Sequence, residues 1–350
     1  MSQSSHLKMR LIQWLESVWY GEKPLAKLCL MPLSYLFCAV SQWRRELLQR
    51  QQHHLRVPVV VIGNLALGGT GKTPLTIKLA QLLTQAGYQV GLVSRGYGGH
   101  LPAKALQFVQ PDSDPHQVGD EAILLVLRTQ LPLVIARQRT KAIEGLLAHC
   151  PCDVVLSDDG LQHYRMARDL EIIVLDGLRR LGNGACLPAG PLREPPERLQ
   201  DCDFIITNGE ARPQEYAMQV QGQCLHNKDG AQQALTALAG QSVHVVSAIG
   251  NPQRFLALLD AAQIYYQTHL QLYPDHYLFQ SADVQFDDAL PVLMTEKDFV
   301  KCRDFAAKNL WYLSVEAQLD LEFEEAFLDR VAELVRKAKI AQESGVRLDS

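Results

Sequence analysis

The sequence predicts an α/β fold in two parts, a larger domain built on a mostly parallel sheet and a smaller α/β domain C-terminal to it. Three observations carry this. From Pro58 onward, short β-branched runs alternate with helical stretches, the pattern of βαβ units. A glycine-rich segment, LALGGTGKTP at 65–74, falls at the first strand-to-helix junction. After a polar stretch at 210–230, a second, shorter α/β series runs from 243 to 340.

The elements follow in order. PVVVIGN (58–64), QVGLVSRG (89–96), LPLVIA (131–136), DVVLSDDG (153–160), EIIVLD (171–176) and DFIITNG (203–209) are the expected strands of the first domain. Several are almost wholly apolar, as strands covered on both faces must be. Helical stretches near 73–86, 119–129 and 138–149 are short enough to be crossover helices. Within the polar stretch, Met218 to Leu225 alternate as a strand does, while the flanks read as linker. The second series predicts strands at 243–251, 291–298 and 310–315, with helices near 252–262 and 321–340. These readings divide the chain into an N-terminal segment 1–50, a domain 51–225 and a smaller domain 226–350.

A chain of 350 residues, 47% hydrophobic and 21% charged, has ample material for buried cores and needs no covalent staple. Its net charge of −4 argues against a general nucleic-acid binder, so an anionic ligand has to be met by local groups. Eight scattered cysteines read as reduced thiols. The apolar run LCLMPLSYLFCAV at 28–40 lies between Lys23 and Lys27 on one side and Arg44, Arg45 and Arg50 on the other. Its 13 residues fall short of the roughly 20 a spanning helix needs. Trp14, Trp19, Tyr20, Tyr35 and Trp43 around it suit either a membrane interface or a helix packed on the protein itself.

The segment at 65–74 departs from the strict P-loop pattern, which asks for glycine where Ala66 stands. Close backbone approach to a phosphate falls at Gly68, Gly69 and Gly71, which permit the turned-in N–H groups of an anion nest. Lys72 can then reach the β- and γ-phosphates, and the Thr73 hydroxyl can bind Mg²⁺. Pro74 suits a first helical turn, where the helix dipole also favours phosphate. Asp158 and Asp159 stand where an apolar strand stops, the position from which P-loop enzymes hold their metal, although Asp-Asp-Gly is also ordinary turn chemistry. Asp120 and Glu121 begin a helix, where carboxylates also serve as caps. Arg95 in SRGYGG, Arg193 in GPLREP, and the Asp275-His276 pair in YPDHY complete the candidates.

Taken together, GNLALGGTGKTP, SRGYG, GDE, DDGLQH, LPAGPLREP, PDHY and MTEKD, in that order, resemble the tetraacyldisaccharide 4'-kinase family of lipid A synthesis, over about residues 10 to 335. The resemblance implies a P-loop kinase domain joined by a short β linker to a smaller α/β domain, with a hydrophobic helix around 28–40 docked peripherally on the cytoplasmic face of the bacterial inner membrane. It makes ATP with Mg²⁺ the cofactor pair and an acylated disaccharide lipid the substrate, and it implies no protein partner. Ala66, Leu67, Gly68, Gly69, Thr70, Gly71, Lys72 and Thr73 would form the ATP loop. Asp120 would be the catalytic carboxylate, helped by His276 from the second domain. Asp158 and Asp159 would organise Mg²⁺, with Glu121 and Thr73 as further metal candidates, Arg193 on phosphate and His163 in support. The residues alone leave two other readings open. One is a P-loop NTPase chaperone for metal insertion, although no N-K-x-D base-recognition motif occurs; the other is a nucleotide-binding membrane adaptor without turnover.

Overall fold

A computed structural model describes residues 11, 13–21, 23–52, 55–102, 105–307 and 309–344. Helix α1 (Pro24–Gln49) is followed by the expected alternation: β1 (Val59–Gly63), α2 (Lys72–Gln85), β2 (Val90–Ser94), β3 (Leu106–Val109), α3 (Pro115–Val118), α4 (Asp120–Thr129), β4 (Leu133–Ala136), α5 (Arg139–His149), β5 (Val154–Ser157), β6 (Leu170–Asp176) and β7 (Phe204–Asn208). Strands β1, β2, β4, β5 and β6 are buried along their whole length, which is why their sequences carry no polar alternation.

In the first lobe the strand order is β7-β6-β1-β5-β2-β4-β3, parallel except for β3 at the edge. From β1 the chain winds one way through β2, β4 and β5, then returns to the other side of β1 with β6 and β7. The carboxyl end of β1 is therefore the switch point of an open sheet, where ligands of α/β proteins bind.

The chain continues as β8 (Tyr216–Asn227), β9 (Gln232–Ala234), β10 (His244–Ser247), α6 (Gln253–Ala261), β11 (Leu270–Leu272), β12 (Val292–Thr295), α7 (Glu296–Val300), β13 (Leu310–Leu319) and α8 (Leu321–Glu343). Strands β11-β10-β12-β13 form a second parallel group, and a long antiparallel ribbon of β8 against β13 joins it to β7. The alternation at Met218 to Leu225 is part of β8, and residue 225 lies inside that ribbon. Of the buried apolar clusters, one lies under the first lobe and takes in Phe323, Phe327, Val331 and Val335 of α8, which packs back on the P-loop lobe; another gathers Leu225, Val245, Phe255, Leu259 and Leu293.

The N-terminal run is longer than its apolar centre suggests. Helix α1 has 26 residues and is long and apolar enough, by length and composition alone, to cross a membrane, which corrects the expectation drawn from 13 residues. One stripe of it is tied to the loop following β6. Lys27 donates to the Asn183 carbonyl (3.0 Å), buried Ser34 to that of Cys186 (2.7 Å), Ser41 to that of Arg193 (3.3 Å), and Arg45 pairs with Asp201 (2.9 Å). Cys38 and Cys186, 148 residues apart, are disulfide-bonded, which corrects the reading of all eight cysteines as reduced thiols. The docking of α1 brings this pair together, so no local spacing could announce it.

Candidate active site

The loop after β1 is held by the Asn64 side chain and by the backbone at 191–192. Buried Asn64 donates from Nδ2 to the carbonyls of Ala66 (2.6 Å) and Gly68 (3.3 Å). Ala66 bridges to Leu192, and the Leu67 N–H donates to the Pro191 carbonyl (2.9 Å), so position 66 is extended backbone that does not need glycine. Positive φ occurs at Gly68 (111°) and Gly71 (98°). A Cβ on Gly71 would stand 2.6 Å from Asn208 Nδ2, whereas Gly69 faces open space, as a phosphate cradle requires. Lys72 opens α2 with its Nζ 3.1 Å from Asn64 Oδ1 and 3.5 Å from Asp159 Oδ1. Thr73 follows it, half-buried, in the first turn.

Strand β5 lies beside β1 and delivers Asp158 and Asp159 to the same edge. Asp158 is buried and accepts from Thr76 Oγ1 (3.0 Å), while buried Arg139 donates to the Asp158 carbonyl (3.1 Å). Burial, together with the charges of Glu121 and Asp159, pushes the Asp158 carboxyl up to about 7, against the pull of Lys72 and Thr76. Burial acts on Asp159 in the same direction, but Lys72, Arg193 and Arg139 outweigh it and hold this carboxyl below its usual range. Arg193 Nη1 stands 3.7 Å from Asp159 and donates to Gln162 Oε1 (3.2 Å); Gln162 in turn donates to Glu194 (2.9 Å).

The other half of the site spans the two lobes. Gly119, with φ 87°, turns the chain into α4, so that Asp120 and Glu121 head the helix. Asp120 is buried; its Oδ1 accepts from the Glu121 N–H (2.8 Å) and its Oδ2 lies 3.3 Å from His276 Nδ1 and 3.7 Å from Lys301 Nζ. Neither Asp120 Oδ2 nor His276 Nδ1 has an aligned hydrogen-bond partner. His276 (φ 59°) is packed edge-on to Tyr97, and its Nε2 is 3.6 Å from Asp275. Burial would raise the Asp120 carboxyl, but the His276 ring and the charges of Lys297 and Lys301 keep it below its ordinary value. Lys297 Nζ bridges Glu121 (2.9 Å) and Asp275 (3.7 Å).

The donor set fits a hard divalent cation. Burial, with the charges of Glu121 and Asp159 beside it, lifts Asp158 toward neutrality, and Asp159 Oδ1 is buried without a hydrogen-bond donor. Among the described residues no group of three or more His, Cys, Asp or Glu side chains is poised to hold a metal ion alone. A cation such as Mg²⁺ is usually held by one or two carboxylates together with substrate phosphates and water.

Comparison with known proteins decides the family. The sequence profile described as Tetraacyldisaccharide-1-P 4'-kinase matches residues 26–332. The chain belongs to the tetraacyldisaccharide-1-P 4'-kinase family. The tetraacyldisaccharide 4'-kinase of Nitrosococcus oceani is 50% identical over 323 residues, covering 91% of this chain and 94% of that one. That of Hahella chejuensis is 43% identical over 338 residues, covering 93% and 98%. The crystal structure of an "apo" form of LpxK from Aquifex aeolicus in complex with ATP superposes with a TM-score of 0.73 at 27% identity, over 89% of this chain and 99% of that one.

In this member of the 4'-kinase family, the loop 66–73, Asp158, Asp159 and Arg193 lie around one edge of the sheet, and Asp120, Glu121 and His276 meet at the interlobe face beside it. His163 is half-buried; burial, then Arg139 and Arg95, push its pKa down to about 3, so it stands as a neutral ring. Sequence reasoning missed several contributors. Asn64 and Asn208 shape the P-loop, Lys301 faces Asp120, and Lys297 was visible only as one letter of MTEKD. The signal available for the two lysines was their i, i+4 spacing, which places both on one face of α7.

Proposed function

We propose that this chain transfers the γ-phosphate of ATP to the 4'-hydroxyl of a tetraacylated glucosamine disaccharide 1-phosphate, a lipid A precursor, at the cytoplasmic face of the bacterial inner membrane. The observation that carries the reading is the meeting of Asp120 from the P-loop lobe with His276 from the smaller one, 3.3 Å apart, beside the carboxylate pair that faces Lys72. A phosphoryl acceptor bound between the lobes would find a base and a nucleotide loop on the same side.

Phosphoryl transfer needs positioning and charge stabilisation more than covalent chemistry. Lys72 lies between Asn64 and Asp159, partners that triphosphate oxygens would replace. Arg193, braced by Gln162, would take a second phosphate oxygen. Asp158 and Asp159, with Thr73 and Glu121, would hold Mg²⁺, which when bound neutralises charge on the phosphates. The acceptor hydroxyl donates toward Asp120 Oδ2 as its oxygen attacks the γ-phosphorus in line, and ADP departs. A carboxylate held below its ordinary pKa is a weak base for an alcohol, so the proton moves late and Asp120 chiefly orients the hydroxyl. His276 and Lys301 keep Oδ2 aimed at the cleft.

Helix α1 supports membrane docking in the plane of the interface. Its contacts with 183–201 run along one stripe from Lys27 to Arg45, while Leu25, Leu28, Leu36, Val40 and Trp43 are exposed on the remainder. Lys23, Arg44 and Arg50 flank the apolar surface, where they can meet anionic headgroups. The acyl chains can then stay in the bilayer while the sugar enters the cleft. Mass-spectrometric detection of a 4'-phosphorylated product from ATP and the lipid acceptor tests the reading. ATP hydrolysis indifferent to the lipid would favour an NTPase chaperone, and binding without turnover an adaptor.

A further inference from the structure

The carboxyl ends of β6 and β7 hold a connection that the transfer chemistry does not use. Asp176 and Asn208, in register as the last residues of these strands, both meet Arg254 of α6, a helix of the smaller lobe. Arg254 Nη2 lies 2.9 Å from Asp176 Oδ2 and donates to the Asn208 carbonyl at 2.9 Å. The side chain of Asn208 donates in turn to the Thr70 carbonyl of the P-loop (3.1 Å), a buried contact, and occupies the space above Gly71 that a Cβ would need. Among the described residues, the Asp176 carboxylate otherwise accepts through Oδ1, from the N–H groups of Leu178 and Arg179.

We propose that Arg254 is a positioning residue for phosphoryl transfer, fixing the nucleotide loop of one lobe, through Asn208, from a helix of the other. The same helix begins just after the turn that follows β10. There the Ala248 N–H donates to fully buried Asp298 (3.1 Å), and Asp298 holds Lys301 (2.9 Å) against Asp120. Gly250 in that turn packs on Asp275, beside His276. One short segment of the smaller lobe, 248–254, therefore touches the supports of both the P-loop and the acceptor base. Arg254 sets the lobe orientation at which the two coincide.

This rests on ATP occupying the P-loop, and the test separates the two claims. Wild type, R254A, R254K, N208A and R254A/N208A are compared by steady-state kinetics in both substrates and by the thermal shift that ATP produces. R254A is expected to raise KM for ATP about tenfold, the order for losing one charge-assisted hydrogen bond, with KM for the lipid acceptor unchanged. R254K, whose ammonium can serve both acceptors, is expected to recover most of that loss; if R254A folds poorly, R254M, which keeps the aliphatic stem and removes the donors, takes its place. The double variant should be no worse than N208A alone, because both residues act through one contact. A KM for ATP in both Arg254 variants within twofold of wild type, or effects of R254A and N208A that multiply, overturns the proposal. A wild-type protein with no ATP-dependent thermal shift overturns the nucleotide assignment beneath it as well.

Discussion

Asp120 Oδ2 faces His276 Nδ1 across the boundary between the two lobes at 3.3 Å, with Lys301 Nζ 3.7 Å from the same oxygen. A buried carboxylate oxygen flanked by two donors from the opposite lobe, yet lacking an aligned hydrogen bond, is suited to accept one from a third party, the incoming hydroxyl. Replacing Asp120 with Asn keeps the shape and removes the acceptor charge. D120N is therefore expected to lower kcat by a factor on the order of 10² to 10⁴ while KM for ATP stays within about twofold. Full turnover in a folded D120N protein would refute the assignment.

Asp158 makes a stability test possible because its environment penalises the charge that Mg²⁺ binding would need. Its pKa in the folded protein is pushed up to about 7. The folded state thus holds a proton that the unfolded chain has released, and the stabilising contribution, complete below the unfolded pKa near 4, is lost as pH rises through 7. D158N removes this dependence. In chelator, the stability of D158N relative to wild type is expected to be greater at pH 8 than at pH 6 by about 1 kcal/mol, with a correspondingly larger gap in melting temperature, while activity is lost. Parallel melting curves across that range would show that Asp158 does not carry the titration.

Lys297 ties the two lobes together, reaching Glu121 and Asp275 while raised in pKa by these carboxylates and Asp120 against the opposing effect of burial. K297M leaves three carboxylates facing one another without their cation. Its cost is expected at about 2–3 kcal/mol, below that of a sealed ion pair because Glu121 retains some solvent contact, with K297R restoring most of it. Denaturant unfolding of the three proteins measures this. An unchanged midpoint in K297M would mean that the bridge contributes nothing to holding the lobes together.

What the sequence revealed and what it hid divide along a physical line. Strands β1, β5 and β6 and the P-loop were legible because burial on both faces and glycine conformations are written locally. Edge strand β3 escaped because Leu106 is exposed and the run is only four residues long. Asp120 was ambiguous, since a carboxylate at a helix start is already explained by capping, and only the order of motifs singled it out. Asn208 and Arg254 had no local signature at all, and the i, i+4 spacing of Lys297 and Lys301 said nothing of Asp120. Their roles arise where strand ends and helices distant in sequence meet, as at the contact between Asn208 and Thr70, 138 residues apart.

The proposed membrane docking leaves one question for helix α1, whether it crosses the bilayer or lies on it. Length and composition permit crossing. Against this, Lys27, Ser34, Cys38, Ser41 and Arg45 recur at three-, four- and seven-residue intervals and bind the soluble lobe from near one end of the helix to near the other. A spanning helix would have to give up these partners and carry their polar atoms into hydrocarbon, where each unpaired group costs several kcal/mol. Lying flat keeps them and offers the opposite side, with Leu36 62% and Val40 52% exposed, to the acyl region. Burying such side chains contributes about 1.5–3 kcal/mol each. L36E/V40E is therefore expected to weaken binding to anionic vesicles by about a hundredfold or more, while kcat measured on acceptor dispersed in detergent stays within about twofold, since neither residue touches the 183–201 loop in the contacts above. Vesicle co-sedimentation at matched lipid concentrations measures the first quantity. Unimpaired sedimentation of the double variant would place the membrane contact elsewhere on the molecule, and resistance of wild type to extraction at high salt and pH would instead identify α1 as a spanning segment.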